Sequence, residues 1–308
     1  MADPVISVRD LRKSYGDLEA VRGVDLEVER GEIFAFLGPN GAGKTTTVEI
    51  MEGYRSRTGG EVSVLGSDPQ RAGAAWRSRI GFVLQECRME PVLTVRETLE
   101  MFAGYYRSPR GVDETIELVG LTDKSEVRAG RLSGGQQRRL DVAVALIGDA
   151  ELLFLDEPTT GFDPTARRQV WEVIAGLRDL GKTVFLTTHY MDEAQALADR
   201  VAVIAHGVIV ATGTPDDLGG RADAATEVSF ELAGGVAASE LPASLGEPAA
   251  GSNGHVTLRS LDPVRVLHEL TGWALERGVG IERLEVRRPS LEDVYLELTA
   301  ESEEGSSG

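Results

Sequence analysis

Cysteine is almost missing from this 308-residue chain, where Cys87 stands alone. One thiol can close no intrachain disulfide and build no cysteine-rich metal site, so a reducing compartment is expected. Long apolar runs are missing as well. No stretch approaches the roughly 18 residues that would span a bilayer, and the opening MADPVISVRD lacks the basic-then-apolar order of a signal segment. The expectation is a cytoplasmic protein, unless a partner carries it to a membrane. Basic charge is scarce: 32 Lys and Arg against 50 Asp and Glu give a net charge of −18, which argues against gripping nucleic acid or anionic lipid through the general surface. No nucleic-acid partner is expected. Sustained heptads, a tandem duplication and the N-K-x-D element that reads guanine are also absent.

Apolar residues make up 42% and charged residues 27%, as in a soluble globular protein, and the length suggests two domains. Val5 to Val8 and Val24 to Val28 alternate in polarity, which predicts half-buried strands of an antiparallel layer. EIFAFL (32–37), ELLFLDEP (151–158), KTVFLTTH (182–189) and the shorter VAVIAHG (201–207) are nearly continuous apolar runs, as in buried parallel strands. Strands alternating with helical patterns indicate an α/β domain. From about residue 86 to 147 the pattern is mostly helical, and we read a helical lobe inserted into the sheet topology. Residues 1–220 are expected to form the first domain. A small α/β domain is expected over 225–300, with strand-like EVSFEL, HVTLRS and IERLEV, a helical DPVRVLHELTGWALE, loops over 234–254, a terminal helix starting at Ser290, and a disordered tail over 301–308.

GPNGAGKTT (38–46) fits G-x-x-x-x-G-K-[ST] and sits between a buried strand and a helix, where a phosphate-binding loop belongs. There the backbone of Gly38, Pro39, Asn40, Gly41, Ala42 and Gly43 would wrap phosphates. Lys44 would neutralise the β/γ charge, and the hydroxyl of Thr45, followed by Thr46, suits Mg²⁺. In LLFLDEP the apolar strand ends in two acids. Asp156 is placed to hold Mg²⁺ through water and Glu157 to polarise an attacking water. His189 ends another strand and reads either as structural or as a hydrogen-bond donor to a γ-phosphate. Gln85, after IGFVL, could ligate Mg²⁺ or cap a loop.

RLSGGQQRRL (131–140) adds a different signal. Ser133 and Gln136 stand three apart, as in a capping box, but Gly134 and Gly135 beside them cost helix entropy without adding packing. Such a pair leaves a helix N-terminus bare, as an anion site would need.

Taken in order, these motifs resemble the ATP-binding subunits of ABC transporters over roughly residues 4–220. GPNGAGKTT is similar to the Walker A loop, LLFLDE to Walker B, LSGGQ to the family signature, and Gln85 and His189 to the Q-loop and H-loop residues. Tyr15 is placed like the aromatic residue that stacks on adenine. TTGFDP (159–164) resembles the D-loop, with Phe162 where leucine is commoner and Asp163 counted with the nucleotide site. The resemblance implies two copies packed head to tail, so that Ser133, Gly134, Gly135 and Gln136 of one face the ATP held by Lys44 of the other. A homodimer is expected, although a heterodimer also fits. RRLDVAVALIGDAELLFLDEPTTGFDP and RRPSLEDVYLELT further resemble the ATPases of daunorubicin-type drug exporters. That implies an export ATPase using ATP and Mg²⁺, a separate multi-span permease, and a C-terminal region for regulation or assembly. Three other readings compete. A soluble ABC ATPase acting on ribosomes or DNA would bring tandem cassettes or coiled coils, and a P-loop kinase or GTPase leaves LSGGQ unexplained. An importer ATPase is disfavoured only by the subfamily resemblance.

Overall fold

The computed structural model describes residues 4–84, 89–218, 225–246, 248–250, 255–287, 291–293 and 295. They fall into two compact units divided between Pro215 and Asp216.

The first unit opens with β1 (Ile6–Tyr15) and β2 (Leu18–Val28), followed by β3 (Ile33–Leu37), α1 (Lys44–Met51), β4 (Gly59–Val64), α2 (Ala74–Arg77) and β5 (Ile80–Val83). The helical stretch holds α3 (Val95–Ala103), α4 (Val112–Leu118) and α5 (Gly134–Leu146). The chain then alternates through β6 (Leu152–Asp156), α6 (Pro164–Asp179), β7 (Thr183–Thr188), α7 (Met191–Leu197) and β8 (Arg200–Ala205), ending in β9 (Val208–Gly213).

β1 and β2 run well beyond the short segments that alternation predicts. Register shifts between Val8 and Leu11, and again near Lys13, break the two-residue period while pairing continues. With β4 they make an antiparallel sheet in the order β2-β1-β4. The second sheet runs β5-β6-β7-β3-β8-β9 and is parallel except for β9. Phe34, Phe36, Phe154 and Phe185 project from one face of its centre, with ring centroids 5.6 Å apart at three contacts. They share a core with Ile6, Val8, Leu11, Val24 and Val28 of the antiparallel sheet. Each such ring withdrawn from water contributes roughly 2–3 kcal/mol, which binds the two layers together. The intervening residues point to the opposite face, where α6 and α7 pack against β7 and β3.

Local signals set the helix starts. Thr94 and Glu97 form a capping box at α3, and Ser133 and Gln136 form the one anticipated at α5. Asp163 caps α6 by accepting the N–H groups of Thr165 and Ala166, with Pro164 in the first turn.

The second unit is an antiparallel sheet in the order β11-β12-β10-β13, made of β10 (Thr226–Leu232), β11 (Ala249–Ala250), β12 (His255–Ser260) and β13 (Ile281–Arg287). One helix, α8 (Pro263–Arg277), accompanies it; Val266 and Leu270 of α8 bury against Val228, Phe230, Val256 and Leu258. The segment read as loops over 234–254 contains short 3-10 turns and the two-residue β11. Leu291 is buried, while Ser290, Val294, Leu298 and the tail fall outside the described residues. Among the described residues, no helix is long and apolar enough to cross a membrane.

Candidate active site

Three neighbouring strands deliver the site. β3 lies beside β7, and β7 beside β6, with Leu37 opposite Thr188 and Asp156 opposite Thr187. The chain leaving β3, the acids ending β6 and the histidine following β7 therefore emerge at one edge, the carboxyl edge where open parallel sheets bind ligands.

The loop after β3 is shaped by its glycines. Gly43 has φ of 104°, and a Cβ there would stand 2.6 Å from the Ala20 carbonyl oxygen, so no other residue fits without displacing β2. Gly43 is also the N-cap of α1, which starts with no side-chain cap and no acid in its first turn. The positive end of that helix is left open to an anion. Lys44 is buried, and its Nζ donates to the carbonyl oxygens of Gly38 at 2.6 Å and Pro39 at 3.0 Å. Burial pushes the Lys44 ammonium below its ordinary range, opposed by the nearby charges of Glu157 and Asp156.

A cleft of about 500 Å³ opens over this loop. Pro39, Asn40, Gly41, Gly43, Lys44, Thr45 and Thr46 line one side; Asp156, Glu157 and His189 line the other. Thr187 donates its hydroxyl to Asp156 Oδ1, which leaves the second carboxylate oxygen of Asp156 without a bond from that hydroxyl. Glu157 has φ of 44°, a left-handed backbone uncommon outside glycine. Its N–H donates to both the carbonyl and the hydroxyl oxygen of Thr187 at 3.1 Å, and Thr160 donates to Glu157 Oε2 at 3.0 Å. Glu157 Oε1 lies 3.2 Å from Nδ1 of His189. A mostly buried carboxylate, an imidazole and a buried lysine thus converge on one space, a set able to orient a water against a phosphate.

Other sequence candidates lie elsewhere. Tyr15 is 40% exposed, with Lys13 Nζ 4.9 Å and Arg55 Cζ 5.4 Å from its ring centroid, and it does not line the cleft. Ser133, Gly134, Gly135 and Gln136 sit at the mouth of α5, outside the cleft; Gly134 lies close to Phe162 and Gly135 close to Ala166. The Asp163 carboxylate is engaged by its own helix. Gln85 and Cys87 lie outside the described residues. Ala20, Thr160 and Thr187 were not singled out from the sequence, although Ala20 and Thr160 line the cleft and Thr187 grips both acids. Only the strand register, which sets Thr187 opposite Asp156, could have flagged the last.

Fold and cleft together define a P-loop nucleotide-binding domain. Comparison with known proteins narrows the class. Residues 21–160 match the ABC transporter family model, and residues 226–290 match the model for the C-terminal domain of ABC transporter domain-containing-like proteins. The chain is 38% identical over 98% of its length to the daunorubicin resistance ATP-binding protein DrrA3 of Streptomyces coeruleorubidus, covering 98% of that protein. It is 41% identical over 96% of its length to the Nod factor export ATP-binding protein I of Rhizobium meliloti (strain 1021), covering 88% of it. Among solved structures, the Clostridium perfringens protein cbiO1, part of an ABC transporter complex, superposes with a TM-score of 0.65 at 27% identity, covering 70% of this chain and 90% of that one. A dimeric ATP-binding cassette in a post-hydrolysis state with ADP and Pi gives 0.60 at 25% identity, covering 68% of this chain and 98% of that one. The chain belongs to the ABC transporter family, among its ATP-binding proteins of the daunorubicin-resistance and Nod-factor-export type. It is an ATP hydrolase.

Proposed function

We propose that the chain is the ATPase of an exporter, driving a separate multi-span permease that moves a drug-like or lipophilic compound. The observation that carries the enzymatic part is the convergence of Lys44, Thr45, Asp156, Glu157 and His189 on one cleft while LSGGQ stands outside it. The exporter part is supported by similarity along nearly the whole chain, second unit included, to ATP-binding proteins of drug resistance and Nod factor export.

In this reading the backbone of Gly38 to Gly43, with Thr46, wraps the phosphates of ATP, and Lys44 leaves the Gly38 and Pro39 carbonyls to meet them. Tyr15 stacks on the base. Glu157 accepts a proton from the attacking water, and His189 donates to the γ-phosphate. Thr45 and Asp156 line the same cleft and would hold Mg²⁺ through a hydroxyl and a carboxylate, hard oxygen donors suited to it. Gln85, outside the described residues, would be a third ligand. When bound, Mg²⁺ offsets charge on the β- and γ-oxygens.

Two copies close head to tail, so that Ser133, Gly134, Gly135 and Gln136 of each, with Asp163 beside them, complete the other's site. Closure on ATP and opening after hydrolysis drive the permease, which holds the chain at the cytoplasmic face of the membrane. The test is affinity capture of tagged protein from detergent-solubilised membranes of the source cells, followed by mass spectrometry. Recovery of a multi-span permease supports export; recovery from the soluble fraction with ribosomal or DNA-bound partners and no permease overturns it.

A further inference from the structure

One guanidinium holds the turn that carries Glu157. Arg138 lies on the first turns of α5, the helix that LSGGQ opens, and is only 5% exposed. Its Nε donates to the Pro158 carbonyl at 2.9 Å, and its Nη2 to the carbonyls of Asp156 at 2.8 Å and Glu157 at 3.3 Å. Its Nη1 donates to the carbonyl of Leu84, at the end of β5. Three consecutive carbonyls of the catalytic turn thus point at a single planar fork.

Glu157, between them, holds the left-handed φ of 44° that aims its carboxylate at His189. Such a conformation costs on the order of 1–3 kcal/mol and persists only where the surroundings over-determine it. Thr187 holds the amide side of Glu157, and Arg138 holds the carbonyl side. The counter-charge of Arg138 is Asp141, one turn along α5 at 3.7 Å and equally buried. Burial pushes the Asp141 carboxyl up to about 6, with Arg138 opposing the rise. Asp141 also lines a second cavity, of about 290 Å³, together with Met89, Pro91 and Gln137.

We infer that Arg138 is a positioning residue for hydrolysis, fixing the Asp156-Glu157-Pro158 backbone around the strained Glu157 from the signature helix so that the Glu157 carboxylate stays aimed into the cleft. This rests on the reading of Glu157 as the residue that accepts the proton from water. A guanidinium fork can reach three carbonyls of the turn and Leu84 at once; a lysine ammonium has three donors and no plane, so Arg138→Lys should not substitute for it.

The experiment compares the full-length parent, Arg138→Gln, Arg138→Lys, Glu157→Gln and the Arg138→Gln/Glu157→Gln double variant. Turnover at saturating ATP and Mg²⁺, half-saturating ATP, and persistence of an ATP-bound dimer on size-exclusion chromatography are measured. Both Arg138 variants should lose about 10- to 100-fold in kcat with half-saturating ATP within about twofold, since a small misplacement of a catalytic group costs that much. They should also retain the ATP-bound dimer as Glu157→Gln does, and the double variant should be no slower than Glu157→Gln alone. If Arg138→Gln does not fold, Arg138→Lys carries the same readouts. Arg138 variants that turn over at the parental rate while Glu157→Gln is inactive overturn the role of Arg138 alone. Losses that multiply in the double variant overturn it too, because Arg138 would then act apart from Glu157. An active Glu157→Gln removes the reading of Glu157 and this inference with it.

Discussion

Thr159 donates its hydroxyl to Glu193 Oε1 at 2.7 Å, and both side chains are completely buried. The Trp171 indole donates to the same oxygen at 3.0 Å, while Glu193 Oε2 has no hydrogen-bond partner among the described residues. Glu193 therefore ties the turn after Glu157 to α6 and to its own helix α7, which follows His189. Burial, more than any neighbouring group, pushes its carboxyl above the usual range; the Thr188, Thr159 and Trp171 side chains oppose the rise. Glu193→Ala leaves the buried Thr159 hydroxyl and the half-buried Trp171 indole without their acceptor and opens a cavity, so it should cost about 2–4 kcal/mol of stability. Glu193→Gln keeps the acceptor and should cost far less. Thermal unfolding of the two variants checks the difference, and equal losses would count against it.

Lys44→Ala removes the one ammonium that lines the cleft among the described residues. Hydrogen bonds to a charged group contribute about 1.5–3 kcal/mol, so ATP affinity should fall roughly 10- to 100-fold. The unfolding temperature without nucleotide should fall as well, because the Gly38 and Pro39 carbonyls lose their donor. Titration with a fluorescent ATP analogue and a melting curve read the two effects separately.

The placement of LSGGQ outside the Lys44 cleft leads to a prediction about assembly. Glu157→Gln should elute as a dimer at saturating ATP and as a monomer without it. Adding Ser133→Arg should abolish the ATP-dependent dimer if the proposed head-to-tail arrangement holds, because a long side chain would then fill the space proposed for the other copy's γ-phosphate. A double variant that still dimerises would show that the two copies meet elsewhere.

Glu52, which caps the C-terminal end of α1, titrates abnormally: burial first, then Asp156 and Glu49, push it up to about 7 from an ordinary 4.5. The folded chain then binds this proton more tightly than the unfolded chain does. Its contribution to stability is present below about pH 4.5 and is lost as pH rises through about 7. Glu52→Gln should therefore raise the unfolding temperature at pH 8 relative to the parent and change it little at pH 4.5. Melting curves without nucleotide or Mg²⁺ test this, and an equal shift at both pH values would refute it.

The chain order of GPNGAGKTT, LLFLDE and LSGGQ was legible because each depends on local chemistry. A phosphate loop needs glycine backbone and a lysine at set offsets, and a buried parallel strand needs an unbroken apolar run that ends at its functional edge. The capping box of Ser133 and Gln136 was legible for the same reason, since its partners lie three residues apart. The full length of β1 was hidden, because register shifts let pairing continue where alternation stops.

What only the tertiary structure decided are the contacts between residues far apart in the chain. Arg138 reads from the sequence as another polar residue after the signature, yet it is buried against the carbonyls of residues 156 to 158. Thr187 and Glu193 likewise acquire their partners only when β6, β7 and α7 come together. A hydrogen bond to a backbone carbonyl leaves no mark on the identity of the residue that accepts it, and the side-chain pairs of Thr187 with Asp156 and of Thr159 with Glu193 join residues too far apart in the chain to form a local pattern.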